Sequence, residues 1–307
     1  MRKTAIIFTV ILSGIILSLP ACKKTESTDE TPSIQGLTIN EAVPYVAVGD
    51  ELVFNAVTSA LSVSKGTKPS VIGLYWQVNS AKKDTLSRDV RTENPQFKYR
   101  VDTLGTYQVA CYAFATGFYN SSVITSFKAI DPITSLTGTD LTPIANIDGK
   151  DWTAYNMTDP DSGASYKDAD VVDTIFGRFF TWEEAQDICP DGWHLPSAAE
   201  WDTLGNEAGA LMAPAKFLDN RMWEPALGQE ITNNTGFNAI PVGYLDTTAS
   251  RDRFRRFGEM AAFWTSSDSA SDPNLAQYRF ILYDNPEIMK GNGSKTSLAL
   301  SVRCVKD

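Results

Sequence analysis

Histidine is almost missing from this 307-residue chain: His194 is the only one, and the four cysteines include no CxxC pair. One imidazole cannot build a multi-histidine metal centre, and its GWHLP setting reads as structural, so metal- or thiol-based catalysis has no evident centre. Basic charge is also short, with 27 Lys and Arg against 37 Asp and Glu and a net charge of -10, which argues against a nucleic-acid partner. No apolar run approaches the roughly 18 residues that a permanent membrane helix needs. The length predicts about two domains with enough core to fold without staples.

What is present begins with an address. Arg2 and Lys3 precede an apolar run from Ala5 to Leu19, followed by Leu19-Pro20-Ala21-Cys22. A charged start, an apolar stretch of about 15 residues and a small residue before the cut are the pattern of an export signal. Leu-Pro-Ala-Cys resembles the lipobox of bacterial lipoproteins, which makes residues 1–21 a signal peptide and Cys22 the lipidated anchor. Each buried CH₂ of the acyl chains contributes about 0.8 kcal/mol, so the membrane is a partner through the lipid and attachment is effectively permanent. Residues 22–33 carry no aromatic or large apolar side chain before Ile34 and read as a tether. A cell-envelope station is expected, outer membrane favoured, with surface and periplasmic display both left open.

Charge separates two modules. Residues 22–135 hold 11 basic and 11 acidic side chains, whereas 136–307 hold 14 and 26 and six of the seven Trp. The joint falls between Ala129 and Thr137. The first module, 34–131, shows short alternating runs at 37–40, 45–48, 52–58, 71–79, 96–101, 107–114 and 123–129, with turn residues between them. This predicts an all-β sandwich of immunoglobulin-like or PKD-like type, with Trp76 in the core and Tyr107, after a turn glycine, as a tyrosine corner. Period 2 puts Tyr107, Val109, Cys111 and Ala113 on one face, so Cys111 is expected as a buried free thiol.

The second module, 136–307, carries two capping boxes, Thr181 with Glu184 and Ser197 with Glu200, and two helices are expected to start there. Trp182, Ala185 and Cys189 would share a face of the first, Trp201 and Leu204 of the second, while Trp193 and Leu195 read as core pegs. Gly291-Asn292-Gly293 reads as a turn before a terminal strand whose Leu298, Leu300, Val302 and Cys304 alternate onto one side. Cys189 and Cys304 are the only thiols of this module, and an exported chain meets oxidising conditions, so a disulfide between them is expected. Closing a loop of about 115 residues is worth roughly 4 to 5 kcal/mol in the chain-entropy model.

GRFFTWEEAQDICPDGWHLPSAAEW (177–201) together with SVRCVKD (301–307) resembles the Fibrobacter succinogenes major paralogous domain, a family of exported bacterial proteins, over about Asp140 to Asp307. The resemblance implies an α+β fold similar to C-type lectins and formylglycine-generating enzymes: two helices flanking a small twisted sheet, with a long irregular loop region. It brings no biochemical activity. The chain departs from the family pattern at FWTSS, at Ala299 and most of all at Arg251 to Phe257, RDRFRRF, where Gly and Ser are usual.

The sequence therefore points to a non-enzymatic protein whose lectin-like head binds an extracellular glycan or protein. The loop region falls between Glu207 and Gly258, and its candidate ligand-binding residues are Trp223, Tyr244, Arg251, Arg253, Phe254, Arg255, Arg256 and Phe257. Aromatic faces suit sugars, and the arginine cluster suits carboxylate or sulfate unless the module's own acids neutralise it. Asp159 to Asp173 is rich in hard-cation ligands but lacks the EF-hand glycine and spacing, so no metal and no cofactor are expected. The alternative is a structural or adhesion subunit docking to envelope proteins without a small ligand; an enzyme of formylglycine-generating type ranks below both.

Overall fold

The computed structural model describes residues 31–40, 42–80, 95–139 and 142–307. The signal peptide, Cys22 and the tether up to residue 30 lie outside the described residues. The protein is mostly β-structure with a few one-turn helices.

The first half contains β1 (Ile34–Gln35), β2 (Thr38–Ile39), β3 (Tyr45–Ala47), β4 (Glu51–Val57), β5 (Ser62–Val63), β6 (Gly73–Ser80), β7 (Gln96–Arg100), β8 (Gly105–Phe114) and β9 (Ser121–Ile130). Two sheets, ordered β2-β4-β7 and β3-β9-β8-β6, pack around one core, and β1 pairs with β5 at the side. Alternation decides which side chains enter it. Tyr107, Val109, Cys111 and Ala113 on β8 are all fully buried, as are Trp76 and Val78 on β6. Trp76 stacks on Phe97 across the two sheets at 5.4 Å between ring centroids. The Tyr107 hydroxyl donates to the carbonyl of Thr103, four residues upstream, at 2.7 Å, which pins the turn into β8 as the sequence predicts. Cys111 is a buried free thiol, pushed up to about 12 by burial.

The chain leaves β9 through α1 (Pro132–Ser135), whose first turn Asp131 caps by accepting from the Ile133 amide at 3.0 Å. The second half then holds β10 (Leu136–Thr137), β11 (Ile144–Ile147), β12 (Lys150–Thr153), α2 (Asp173–Phe176), α3 (Trp182–Ala185), β13 (Trp193–His194), α4 (Ala198–Asp202), α5 (Ala208–Leu211), β14 (Lys216–Phe217), β15 (Asn220–Arg221), β16 (Tyr244–Asp246), β17 (Phe254–Arg255), β18 (Met260–Asp268), β19 (Leu275–Leu282), β20 (Met289–Ser294), β21 (Leu298–Ala299) and β22 (Val305–Lys306). Its sheets are small, with orders β10-β14-β15, β11-β12-β22-β13, β17-β16-β21 and β18-β19-β20.

Both capping boxes form, yet α3 and α4 are one turn each instead of full helices. Pro190 disfavours helical backbone at Cys189, and Cys189 is held by its bond to Cys304, with 5.8 Å between their Cα atoms. Gly291-Asn292-Gly293 is no turn; it lies inside β20, where the Tyr278 ring covers Gly291 and Leu298 covers Gly293. The terminal segment is broken into β21 and β22, although Leu298, Leu300, Val302 and Cys304 do enter one apolar cluster together with Trp193 and Leu195.

The two halves touch through β3. Val43 and Tyr45 pack onto an apolar cluster of the second half that also takes Ile130, and the Tyr45 ring meets Phe217 edge-on at 5.2 Å. Burial there lifts the Tyr45 hydroxyl above its ordinary pKa.

Candidate functional site

Of the aromatic residues singled out in the sequence, Trp223 is buried and Tyr244, Phe254 and Phe257 are half-buried. Trp223 is 2% exposed, and its indole N–H donates to the Ala239 carbonyl at 2.9 Å. Phe254 and Phe257 lie against Tyr166, at 5.2 and 4.7 Å between centroids, and Phe257 against Phe176 at 5.4 Å. Tyr244, on β16 opposite Arg255, is half-buried against the cluster around the disulfide. An amphipathic residue beside Gly and Arg is simply satisfied by the core that the neighbouring loops build.

The arginine cluster is in part matched by the protein's own acids. Arg253 meets Asp168 at 3.6 Å and Arg256 donates to Glu259 at 3.1 Å. Arg251 and Arg255 are exposed and meet no carboxylate within 4 Å among the described residues.

The acidic loop 159–173 is organised by a guanidinium. Arg178 reaches in from the segment after α2, donating to the Asp173 carboxylate at 2.8 Å, the Ser162 carbonyl and the Ser165 hydroxyl at 3.0 Å each, and the Asp159 carbonyl. Burial lifts the Asp173 carboxyl above its usual range, against the hydrogen bonds from Ser165 and the charge of Arg178. Among the described residues no three His, Cys, Asp or Glu side chains come together as a metal-binding set.

His194 stands between two carboxylates, with Nδ1 2.7 Å from Asp307 and Nε2 3.1 Å from Glu200. Glu200 serves three partners at once: Oε2 accepts from the amide and hydroxyl of Ser197, and Oε1 accepts from Lys150 at 2.7 Å. Burial alone would raise its pKa, but the donors Lys150, Ser197 and His194 outweigh that and hold it at about 2. His194 is a side-chain clasp between β13, α4 and the chain end, in keeping with its structural reading.

The loop region does contain a depression, and of the candidate residues read from the sequence it takes in Trp223. It encloses about 410 Å³ and has apolar walls from Ala213, Ala215, Trp223, Pro225 and Ile231, with Glu230 also lining it. Gln229 fixes one wall: its side-chain amide donates to the Asn285 carbonyl at 3.0 Å. Two cations line the same space, Lys216 on β14 and Arg221 on β15, which are direct partners across the antiparallel pair. The two residues joining these strands, Leu218 and Asp219, have φ of 50° and 66°. The motif KFLDNR lacks the Asn-Gly or Asp-Gly pair by which such a hairpin is usually recognised, so periodicity gave no warning of it.

The molecule is thus β-rich, with a disulfide-closed second half joined to a first β-core. The Fibrobacter succinogenes major domain matches residues 118–306, well over half of the sequence, and the chain belongs to that family. The match starts before β9, so the family segment includes the last strand of the first sheet pair. No curated protein matches the chain. Among solved structures, the adhesin InvE of Yersinia pseudotuberculosis is similar at 11% identity with a TM-score of 0.28, over 89% of this chain and 70% of that one. A likeness that slight bears on neither fold nor function. No helix among the described residues is long and apolar enough to cross a membrane.

Proposed function

We propose that this is a lipid-anchored, non-enzymatic protein of the cell envelope, in which an immunoglobulin-like module spaces a C-type lectin-like head from the membrane. The loop region of that head binds an extracellular glycan or protein. The single observation that carries the reading is the depression between Ala213 and Ile231, an open apolar space with polar side chains around it, on a head whose disulfide suits an oxidising compartment. Membership of the Fibrobacter succinogenes major domain family supports display at the envelope.

Two measurements test this. Mass spectrometry of the exported chain is expected to find fatty acid on Cys22 at the mature N-terminus; an unmodified terminus ends the anchoring part. A glycan and envelope-protein array probed with the chain from Lys23 onward is expected to give ligands that are lost when Pro225→Trp fills the depression. Binding that survives this change, but disappears with Tyr119→Ala on the first module, would move the site elsewhere.

A further inference from the structure

Lys216 and Arg221 oppose one another in register, and their strands are joined through two positive-φ residues, one of them leucine. Directly opposed like charges destabilise a strand pair, and leucine in the left-handed region is strained. Both costs fall on one hairpin. Neither side chain has a carboxylate within 4 Å among the described residues, while Lys150, Arg178, Arg279, Lys290 and Lys295 each have one. The module around them carries 14 basic and 26 acidic residues, and one of those acids, Glu230, lines the same depression without an ion pair to either cation among the described residues.

The geometry points to a binding site for an acidic sugar, a hexuronate unit, in the depression beside this pair. This rests on the ligand-binding reading of the head given above. A carboxylate placed between an ammonium and a guanidinium would relieve their repulsion, and a guanidinium takes it through parallel N–H bonds. The apolar walls of Ala213, Ala215, Pro225 and Ile231 accept the C–H faces of a compact ring, and about 410 Å³ is room for a ligand of that size. Glu230 selects the rest of the ligand. It lines the same space without an ion pair within 4 Å among the described residues, so it is an acceptor for sugar hydroxyls and a repeller of further negative charge. A peptide rich in Asp and Glu would bring several carboxylates against it; a uronate brings one and surrounds it with hydroxyl donors. The Gln229 amide, tied to the Asn285 carbonyl, keeps that wall in place before any ligand arrives.

Calorimetry with the disulfide-intact chain from Lys23 onward tests the assignment, using a hexuronate trisaccharide, its carboxyl-reduced neutral counterpart and an Asp-rich peptide as probes. The hexuronate is expected to bind at least tenfold more tightly than either of the others, and more weakly as salt is raised. Lys216→Gln and Arg221→Gln should each weaken it about tenfold, while Lys98→Gln, a surface cation on β7 of the first half, leaves it unchanged. Circular dichroism of both variants guards against misfolding, and Glu230→Gln should narrow the gap to the acidic peptide. Equal binding of the neutral sugar, or hexuronate binding indifferent to Lys216 and Arg221, overturns the charge assignment and leaves the head as a ligand-binding module. Failure of all three probes overturns it too; if the wider array is also blank, the ligand-binding reading falls with it.

Discussion

Arg303 is 1% exposed and meets no carboxylate within 4 Å among the described residues; its guanidinium is spent on oxygens of the fold. It donates to the Asn156 side chain at 2.8 Å and to the carbonyls of Thr153, Phe237 and Asn238 at 2.9, 2.6 and 3.0 Å, lying 4.6 Å from the Phe237 ring centroid. Burial pulls its pKa down to about 9, still charged at neutral pH. One side chain thus ties the end of β12 and the residues after it to the loop at Phe237 and Asn238. Arg303→Met would strand all four acceptors in the interior, and a loss of about 3 to 5 kcal/mol in urea unfolding is expected. Arg303→Lys should recover only part, because an ammonium cannot reproduce the fork. A second residue-scale prediction concerns pH. The folded-state pKa of Glu200 is depressed from 4.5 to about 2, so its contribution is present above about pH 4.5 and is lost as pH falls toward 2. His194 is raised above 6.5 by Asp307 and Glu200 acting against its burial, so its contribution is full below 6.5 and is lost as pH rises through the folded value. Thermal midpoints measured across pH should therefore show this clasp most stabilising between about 4.5 and 6.5. Glu200→Gln should flatten that window.

Elements are short here, and that is why local signals matter. A single helical turn cannot sustain itself, since nucleation costs more than one turn of hydrogen bonds returns. α3 and α4 exist because Thr181 and Ser197 cap them and because Ala185 and Trp201 are buried beneath. Thr181→Ala is expected to cost about 1 kcal/mol. Ser197→Ala should cost more, because Ser197 also holds the Glu200 carboxylate that receives His194 and Lys150; chemical unfolding of the two variants side by side checks the order. Strand periodicity was legible wherever a strand had one wet face, and β4, β6, β7, β8 and β9 fall within two residues of their predicted limits. The same reading failed at Gly291 and Gly293, where glycine marks not a turn but the space taken by Tyr278 and Leu298 from neighbouring strands. It failed again at Phe254 and Phe257, whose partners Tyr166 and Phe176 lie some eighty to ninety residues upstream, in the segment that leads into and ends α2. The capping boxes and the disulfide were legible because their chemistry is local or nearly unique in the chain. Lys216 and Arg221 were not, because what sets them apart is their pairing across β14 and β15 beside one depression, which only the folded arrangement reveals.

At the scale of the whole molecule, the apolar core of the first half meets, at a seam, one of three apolar clusters that the described residues form in the second. The first core draws on residues up to Ala129, and Ile130 already belongs to the second half. Across the seam, Tyr45 against Phe217 is the main aromatic contact, and a seam of that kind couples the halves weakly compared with the buried interiors on either side. The Cys189–Cys304 bond lies entirely within the second half. Reduction should therefore act on one core and spare the other. The three thiols make this measurable, since Cys111 sits at the centre of the first core, fully buried and pushed up to about 12, where it neither ionises nor meets reagent unless that core opens. With reductant and a thiol label under native conditions, Cys189 and Cys304 are expected to react first, as the second half loses about 4 to 5 kcal/mol of loop constraint. Cys111 should follow only at the denaturant concentration that unfolds the β3-β9-β8-β6 sheet. Tyr45→Ala should widen the gap between the two events by removing what couples them. Simultaneous labelling of all three thiols at one midpoint would mean that the seam transmits unfolding, and that the molecule behaves as a single cooperative unit from Ile34 to Lys306.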